Sequence, residues 1–205
     1  MYLFGASGHS KVVIDAIESS TDYDIETIFD DNPKSDFMAG IPIVKANGDI
    51  IKNLKDFIIT IGNNPLRKKI VKNLNTNYLT VIHSKAIVSK TVEIGVGTVV
   101  LAGSIINTDA IIGAHCIVNS GVVIEHDCEI DNYVHVSPNA SLAGNVRVGE
   151  GTHIGIGSTI IQGIKIGKWV MVGAGTVIIK DVPDYAVVVG NPGKIIKYNA
   201  IDWDV

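Results

Sequence analysis

A small α/β domain followed by a parallel β-solenoid is the fold this sequence predicts, and two observations predict it. From Ala86 the chain divides into sixes without an insertion for 96 residues, giving 16 hexads whose third place is aliphatic every time, from Val88 to Ile178. Before that point only 5 of the 21 glycines occur but 10 of the 17 lysines and arginines, so the first 85 residues follow a different plan.

Taken in order, Tyr2 to Phe4 form a short apolar run that reads as a strand, GASGHS as a turn, and VVIDAIESS has helical spacing. IETIFDD, DFIITIGNN and NYLTVIH read as further strands, with PLRKKIVKNLN an amphipathic helix between the last two. Strand, helix and strand in alternation predict a small parallel α/β domain over residues 1–82, joined by residues 83–85 to a second domain over 83–205. In that second part the first place of each hexad is small or β-branched and the third aliphatic. Two inward side chains therefore alternate with one outward along a short strand. The later places carry the Gly, Asn, Asp and Ser that a tight corner needs. A strand too short to stand alone, repeated this regularly, stacks on its equivalent one coil away, which is a parallel β-helix.

Composition narrows the function. Of 205 residues, 46% are hydrophobic and 19% charged, which excludes a disordered chain. The net charge of -4 supplies no basic patch for nucleic acid. No apolar run is long enough to span a bilayer, and MYLFGASGHSK does not read as a secretory signal, so a cytoplasmic protein is expected. Cys116 and Cys128 occupy inward first places and read as core, not as a disulfide framework or nucleophiles.

Gly5-Ala6-Ser7-Gly8-His9 ends the first strand and opens the first helix, where free N–H groups and the helix dipole favour a phosphate. The segment also reads as an ordinary turn. Lys11 replaces the third glycine of the dinucleotide fingerprint, so NAD is not favoured. Asp30 and Asp31 end the second strand and Gly62-Asn63-Asn64 the third, and polar ends on one sheet edge favour a bound ligand. The period of six resembles that of the hexapeptide-repeat acyltransferases, whose coil of three hexads would put His135 and His153, 18 residues apart, on one face, a pair with no third ligand to suggest a metal. His126 stands at a corner between Glu125 and Asp127, and in the coil that this resemblance implies the N–H of Gly144, 18 residues on, should lie one coil above it. A base with a carboxylate to orient it, beside a residue small enough to admit another molecule, suits acyl transfer. The same residue also reads as a solvated corner histidine.

GASGHSK, IFDD, IGNN followed by Arg67, VIEHDCEI, VHVSPNASLAGNVRVG and the closing VVVGNPGKIIK together resemble the bacterial nucleotide-sugar N-acetyltransferases that acetylate a 4-amino sugar. The related sialic acid O-acetyltransferases share the plan. The resemblance implies a Rossmann-like amino-terminal domain holding a UDP-sugar and a left-handed β-helix with three hexads to a coil. It also implies acetyl-CoA as donor without a metal, and a homotrimer with sites between neighbouring prisms. Carried over residue by residue, it makes His126 the general base, Asp127 its partner with Glu125 an alternative, and Gly144 the donor to the thioester carbonyl. It places His135 near the acetyl group and Asn119 in the sugar pocket. Ser7, Gly8, His9, Asp30, Asp31 and Asn63 fall to the nucleotide sugar, and Gly155, Gly173, Ala174 and Lys194 to CoA. Two other functions stand beside this one: O-acetylation of a free sugar or sialic acid, and a non-catalytic β-helical sugar-binding scaffold.

Overall fold

The structure is a computed structural model and describes residues 1–20, 23–51, 54–74 and 76–199. Its amino-terminal sheet runs β3-β4-β2-β1-β5, with β1 at Tyr2–Phe4, β2 at Thr27–Asp30, β3 at Phe37–Met38, β4 at Ile41–Lys45 and β5 at Phe57–Ile59. Helix α1 covers Gly8–Ser20, the short α2 Gly48–Ile51 and α3 Asn64–Asn73. Strands β1, β2, β4 and β5 are mutually parallel, and β3 folds back antiparallel on β4. Val13, Ile14, Ala16 and Ile17 recur at helical spacing along α1 and are all buried, which fixes the face that α1 turns inward.

From Val81 onward each circuit of the chain lays down three two-residue strands, and residue i pairs in parallel with residue i+18, as in Ile105 with Val123, Ile111 with Glu129 and Ile117 with His135. Three faces result. The first carries 81–82, 99–100, 117–118, 135–136, 153–154 and 171–172; the second runs from 87–88 to 177–178, and the third from 93–94 to 165–166. From Thr98 onward every first and third hexad place is buried, as the inward-outward alternation requires. Three inward hydroxyls are satisfied 15 residues ahead: Thr98 Oγ1 donates to Gly113 O, Thr152 Oγ1 to Gly167 O and Ser158 Oγ to Gly173 O. Both cysteines do the same, and burial pushes the Cys116 thiol up to about 12, so it supplies no thiolate at neutral pH.

The sixth place of each hexad from Gly97 to Gly175 turns the corner at positive φ, between 54° and 72°. Glycine, Asn or Asp fills most of these places, but His115, Tyr133 and Trp169 do not belong to that set. All three stand on the corner between the third and first faces, where α3 and its neighbours cover them. Tyr133 stacks on His115 with ring centroids 5.3 Å apart, Tyr78 meets His115 edge-on at 4.6 Å, and Lys68 Nζ lies 5.1 Å over the Trp169 ring.

The strand read at NYLTVIH belongs to the prism and not to the α/β sheet. Tyr78 makes a single bridge to Phe57, while Val81–Ile82 pair with Val99–Val100. The reason is that the hexad period begins one unit before Ala86, at Thr80, so Val81 takes an outward second place. That outward side chain, with Val99 and Ile117, is covered by α1, which fuses the two parts in one apolar cluster. At the far end Ala186–Val189 add a last rung to the first face, and Lys194–Tyr198 return antiparallel to them. Among the described residues no helix is long and apolar enough to cross a membrane.

Candidate active site

His126 stands in the corner between the second and third faces with 59% of its side chain exposed. Its Nδ1 lies 2.7 Å from Asp127 Oδ2, so Nδ1 carries the proton and Nε2 presents a lone pair to solvent. The hydrogen bond that Nδ1–H donates to Asp127 is the main reason that the imidazole is held above its ordinary value of 6.5. Gly144, one coil on, lies against the ring: a Cβ there would stand 2.6 Å from His126 Cε1 and 2.7 Å from Nε2. Corner N–H groups at the fifth hexad place fall outside the strand ladders. Those of Ala114 and Lys168 are capped by Asn132 Oδ1 and Asp184 Oδ1, whereas no described acceptor engages the Gly144 N–H. The corner therefore joins an oriented base to an unspent donor in one small space. Glu125 makes no hydrogen bond to His126 and acts on it only through its charge.

A second group of candidates meets on the first face, under the α/β domain. Asn119 Oδ1 accepts from Ser120 N, which turns its Nδ2 toward His135 Nε2 at 3.1 Å and leaves Nδ1 facing Gly62 O at 3.4 Å. His135 is buried between His153 and His9, with ring centroids at 4.7 and 6.3 Å. His153 Nε2 in turn lies 2.9 Å from Ser137 Oγ. Burial, with the Arg67 charge adding to it, pulls His9 down to about 4 and lowers His153. Burial first, then His153 and Arg67, brings His135 down to about 2. His9 and His135 are therefore neutral near pH 7, and the buried His9 Nε2 has no hydrogen-bond partner among the described residues.

Arg67 is the residue that sequence reading left without a role. It is fully buried, and its guanidinium donates to His115 O and Tyr133 O on two coils of the prism, to Ile61 O and to Asn64 Oδ1, all at 2.8 or 2.9 Å. No described carboxylate pairs with it, and burial pulls it down to about 10. Asn64 Nδ2 continues the seam to Gly151 O and Thr152 O. Nothing local marks Arg67 as buried: it sits in a polar stretch of α3, and its two acceptors on the prism lie 48 and 66 residues away.

The remaining candidates divide. Ser7 and Gly8 are exposed at the start of α1 and share a cleft of about 430 Å3 with Lys11 and the β3–β4 hairpin. Asp30 is already employed, accepting from Ala6 N at 2.7 Å and Asn32 N at 2.8 Å, so it braces the Gly-rich turn. Asp31 is exposed and lines a different depression, with Phe4, Ala46 and Ile70. Asn63 caps α3 through Leu66 N and borders a small cavity with Gly62, His153 and Met171. Gly155 and Gly173 succeed one another in one corner column. There a Cβ at 155 would stand 2.5 Å from Val172 O, so the stacking of coils already demands glycine. Ala174 is exposed beside them, and Lys194 lies in the carboxy-terminal hairpin, far along the prism from Ser7.

Prism and corner together define an acyltransferase, and the comparisons with known proteins agree. Residues 1–74 match the PglD N-terminal domain and residues 145–180 the bacterial transferase hexapeptide (six repeats), a left-handed β-helix. The perosamine N-acetyltransferase PerB of Caulobacter crescentus, whose structure was determined with CoA and GDP-perosamine, is 34% identical, with 96% of each chain covered and a TM-score of 0.90. The acetyltransferase domain of PglB from Neisseria gonorrhoeae, in complex with acetyl coenzyme A, is also 34% identical, over 95% of this chain and 98% of that one, with a TM-score of 0.89. A UDP-N-acetylbacillosamine N-acetyltransferase of Bacillus subtilis is 42% identical over 106 residues, 47% of this chain and 48% of the other. The chain spans half or less of the curated relatives it matches. It belongs to the hexapeptide-repeat family of nucleotide-sugar N-acetyltransferases.

Proposed function

We propose that this protein transfers the acetyl group of acetyl-CoA to the 4-amino group of a nucleotide-linked amino-dideoxy sugar, by direct attack and without an acyl-enzyme. The observation that carries the reading is the corner itself. His126 Nε2 is free, Nδ1 is held by Asp127, and the unspent Gly144 N–H is beside the ring. His126 takes a proton as the sugar nitrogen closes on the acetyl carbon, and Asp127 stabilises the imidazolium. The Gly144 N–H receives the oxyanion, and the CoA thiolate leaves, reprotonated by His126.

The same reading distributes the other residues. Ser7, Gly8 and His9 receive the diphosphate and sugar, Asp31 and Asn63 approach from the separate depressions that they line, and Asp30 holds the turn in shape. His135, fixed by Asn119, presents a neutral edge to the acetyl group. The pantetheine arm follows the corner of Gly155, Gly173 and Ala174. The phosphorylated end reaches the cleft of about 320 Å3 that Lys180 and Lys194 border with Ile178, Ile179 and Ile195. Such an enzyme works in the cytoplasm, where acetyl-CoA is made.

A homotrimer is the assembly that this reading calls for. The α/β domain covers the first face, while His126 stands at the corner between the second and third, on the opposite side of the prism. In this reading the sugar held by one protomer meets the base of a neighbour. The second face presents Ile87, Ile105, Val123, Ser141, Thr159 and Val177, without a charge, and the third presents Glu93, Glu129, Arg147 and Lys165. The uncharged face is the one to pack on another copy.

The test is release of free CoA from acetyl-CoA with a panel of UDP- and GDP-linked 4-amino sugars. Turnover with at least one, giving a product whose acetyl group survives mild alkali, supports an amide. A product that loses the acetyl group in alkali overturns the amine as acceptor, and no turnover with any amino sugar overturns the whole reading.

A further inference from the structure

The cleft at the start of α1 has two unlike walls. One is Ser7, Gly8 and Lys11, polar and suited to phosphate; the other is the β3–β4 hairpin with Ser35, Phe37 and Met38. Phe37 is 65% exposed and belongs to none of the apolar clusters of the core, so its ring contributes little to the fold. The backbone beneath it is nevertheless well defined. Phe37 and Met38 pair with Pro42 and Ile41, Ser35 Oγ donates to Phe37 O at 3.3 Å, and Ile43 N–H to Asp36 O at 2.8 Å. The chain reverses through Ala39 and Gly40 at φ of 50° and 79°. A short, braced hairpin thus holds an otherwise idle aromatic ring at the mouth of a cleft whose other wall is polar.

We infer that Phe37 is the platform on which the nucleobase of the substrate stacks. This rests on the nucleotide-sugar reading above. With the diphosphate at the start of α1, the base falls toward the facing wall, where Phe37 is the exposed aromatic ring. Every base has a π-face, so stacking holds uracil or guanine alike, and the choice between them falls to polar groups at the base edge. Affinity for the nucleoside and identity of the base are then separate properties of this cleft.

Isothermal titration with UDP and GDP decides it, using the wild type, Phe37→Ala, Phe37→Leu and Phe37→Tyr. For whichever nucleotide the wild type binds, Phe37→Ala raises Kd by roughly 5- to 150-fold, the range that loss of one stacked base represents. Phe37→Tyr restores binding, Phe37→Leu does not because it returns apolar bulk without a π-face, and the KM for acetyl-CoA is unchanged throughout. An unchanged Kd in Phe37→Ala, or full rescue by Leu, removes the platform and leaves the enzyme's function standing. A wild type that binds neither nucleotide and turns over no nucleotide amino sugar removes both.

Discussion

The imidazole of His126 lies against the Cα of Gly144 one coil away, with no room between them for a methyl group. Gly144→Ala must therefore push the ring aside, and the strand ladders on either side of the corner are untouched. Steady-state assays should show kcat reduced at least about 10²-fold, with unfolding unchanged. Wild-type turnover in this variant would mean that the ring does not work from the position it occupies.

The bond to Asp127 predicts a pH signature. A general base works only when unprotonated, so kcat/KM should rise with pH through the titration of His126, and its midpoint should lie above 6.5 because the carboxylate favours the imidazolium. Asp127→Asn should move the midpoint down toward the ordinary imidazole value. A profile with the same midpoint in both proteins would assign the limb to another group.

The buried imidazoles predict acid sensitivity. His9 and His115 titrate near 4 and His135 near 2 in the folded protein, against 6.5 when exposed. Below pH 6.5 the unfolded chain binds protons that the folded one refuses, so stability falls as pH drops from about 6.5 toward 4 and continues to fall below that. Thermal melts from pH 7 to 4 should show the decline, and His135→Gln should flatten it. Equal slopes for the two proteins would show that His135 is protonated freely in the native state.

Division of the site between protomers is testable by mixing two inactive variants. His126→Ala lacks the base, and Gly8→Glu sets a carboxylate where the diphosphate binds. Co-expressed in equal amounts, random trimers retain both intact halves at roughly a quarter of their sites and should recover activity in that proportion. No recovery would place the whole site within one protomer.

The solenoid was legible because its signal is additive: sixteen hexads each say the same thing, and an error in one cannot shift the rest. The hairpin of β3 and β4 carried no such signal, since β3 has two residues and Pro42 argues against a strand. Of the site, His126, Asp127 and Gly144 could be placed together because a period of six, with the three hexads to a coil that the resemblance implies, converts sequence distance into spatial contact. No period relates the amino-terminal domain to the prism, so the burial of Arg67 and the seating of His9 beside His135 could not be computed in that way. Asp30 shows the opposite difficulty. An acidic residue at a strand end reads as a ligand contact, yet here both oxygens are taken by neighbouring amides.

Repetition also makes a solenoid divisible, and Arg67 limits where it can be cut. Because one guanidinium spans His115 O and Tyr133 O, those two corners must stay on adjacent coils. An extra 18-residue coil spliced between them would lengthen the prism by one storey and pull the two acceptors out of reach of a single side chain. The same insert placed after Gly175 would leave the docked domain where it is and move only the cap, carrying Lys194 one storey farther from His126. The chain thus has a fixed half and an adjustable half.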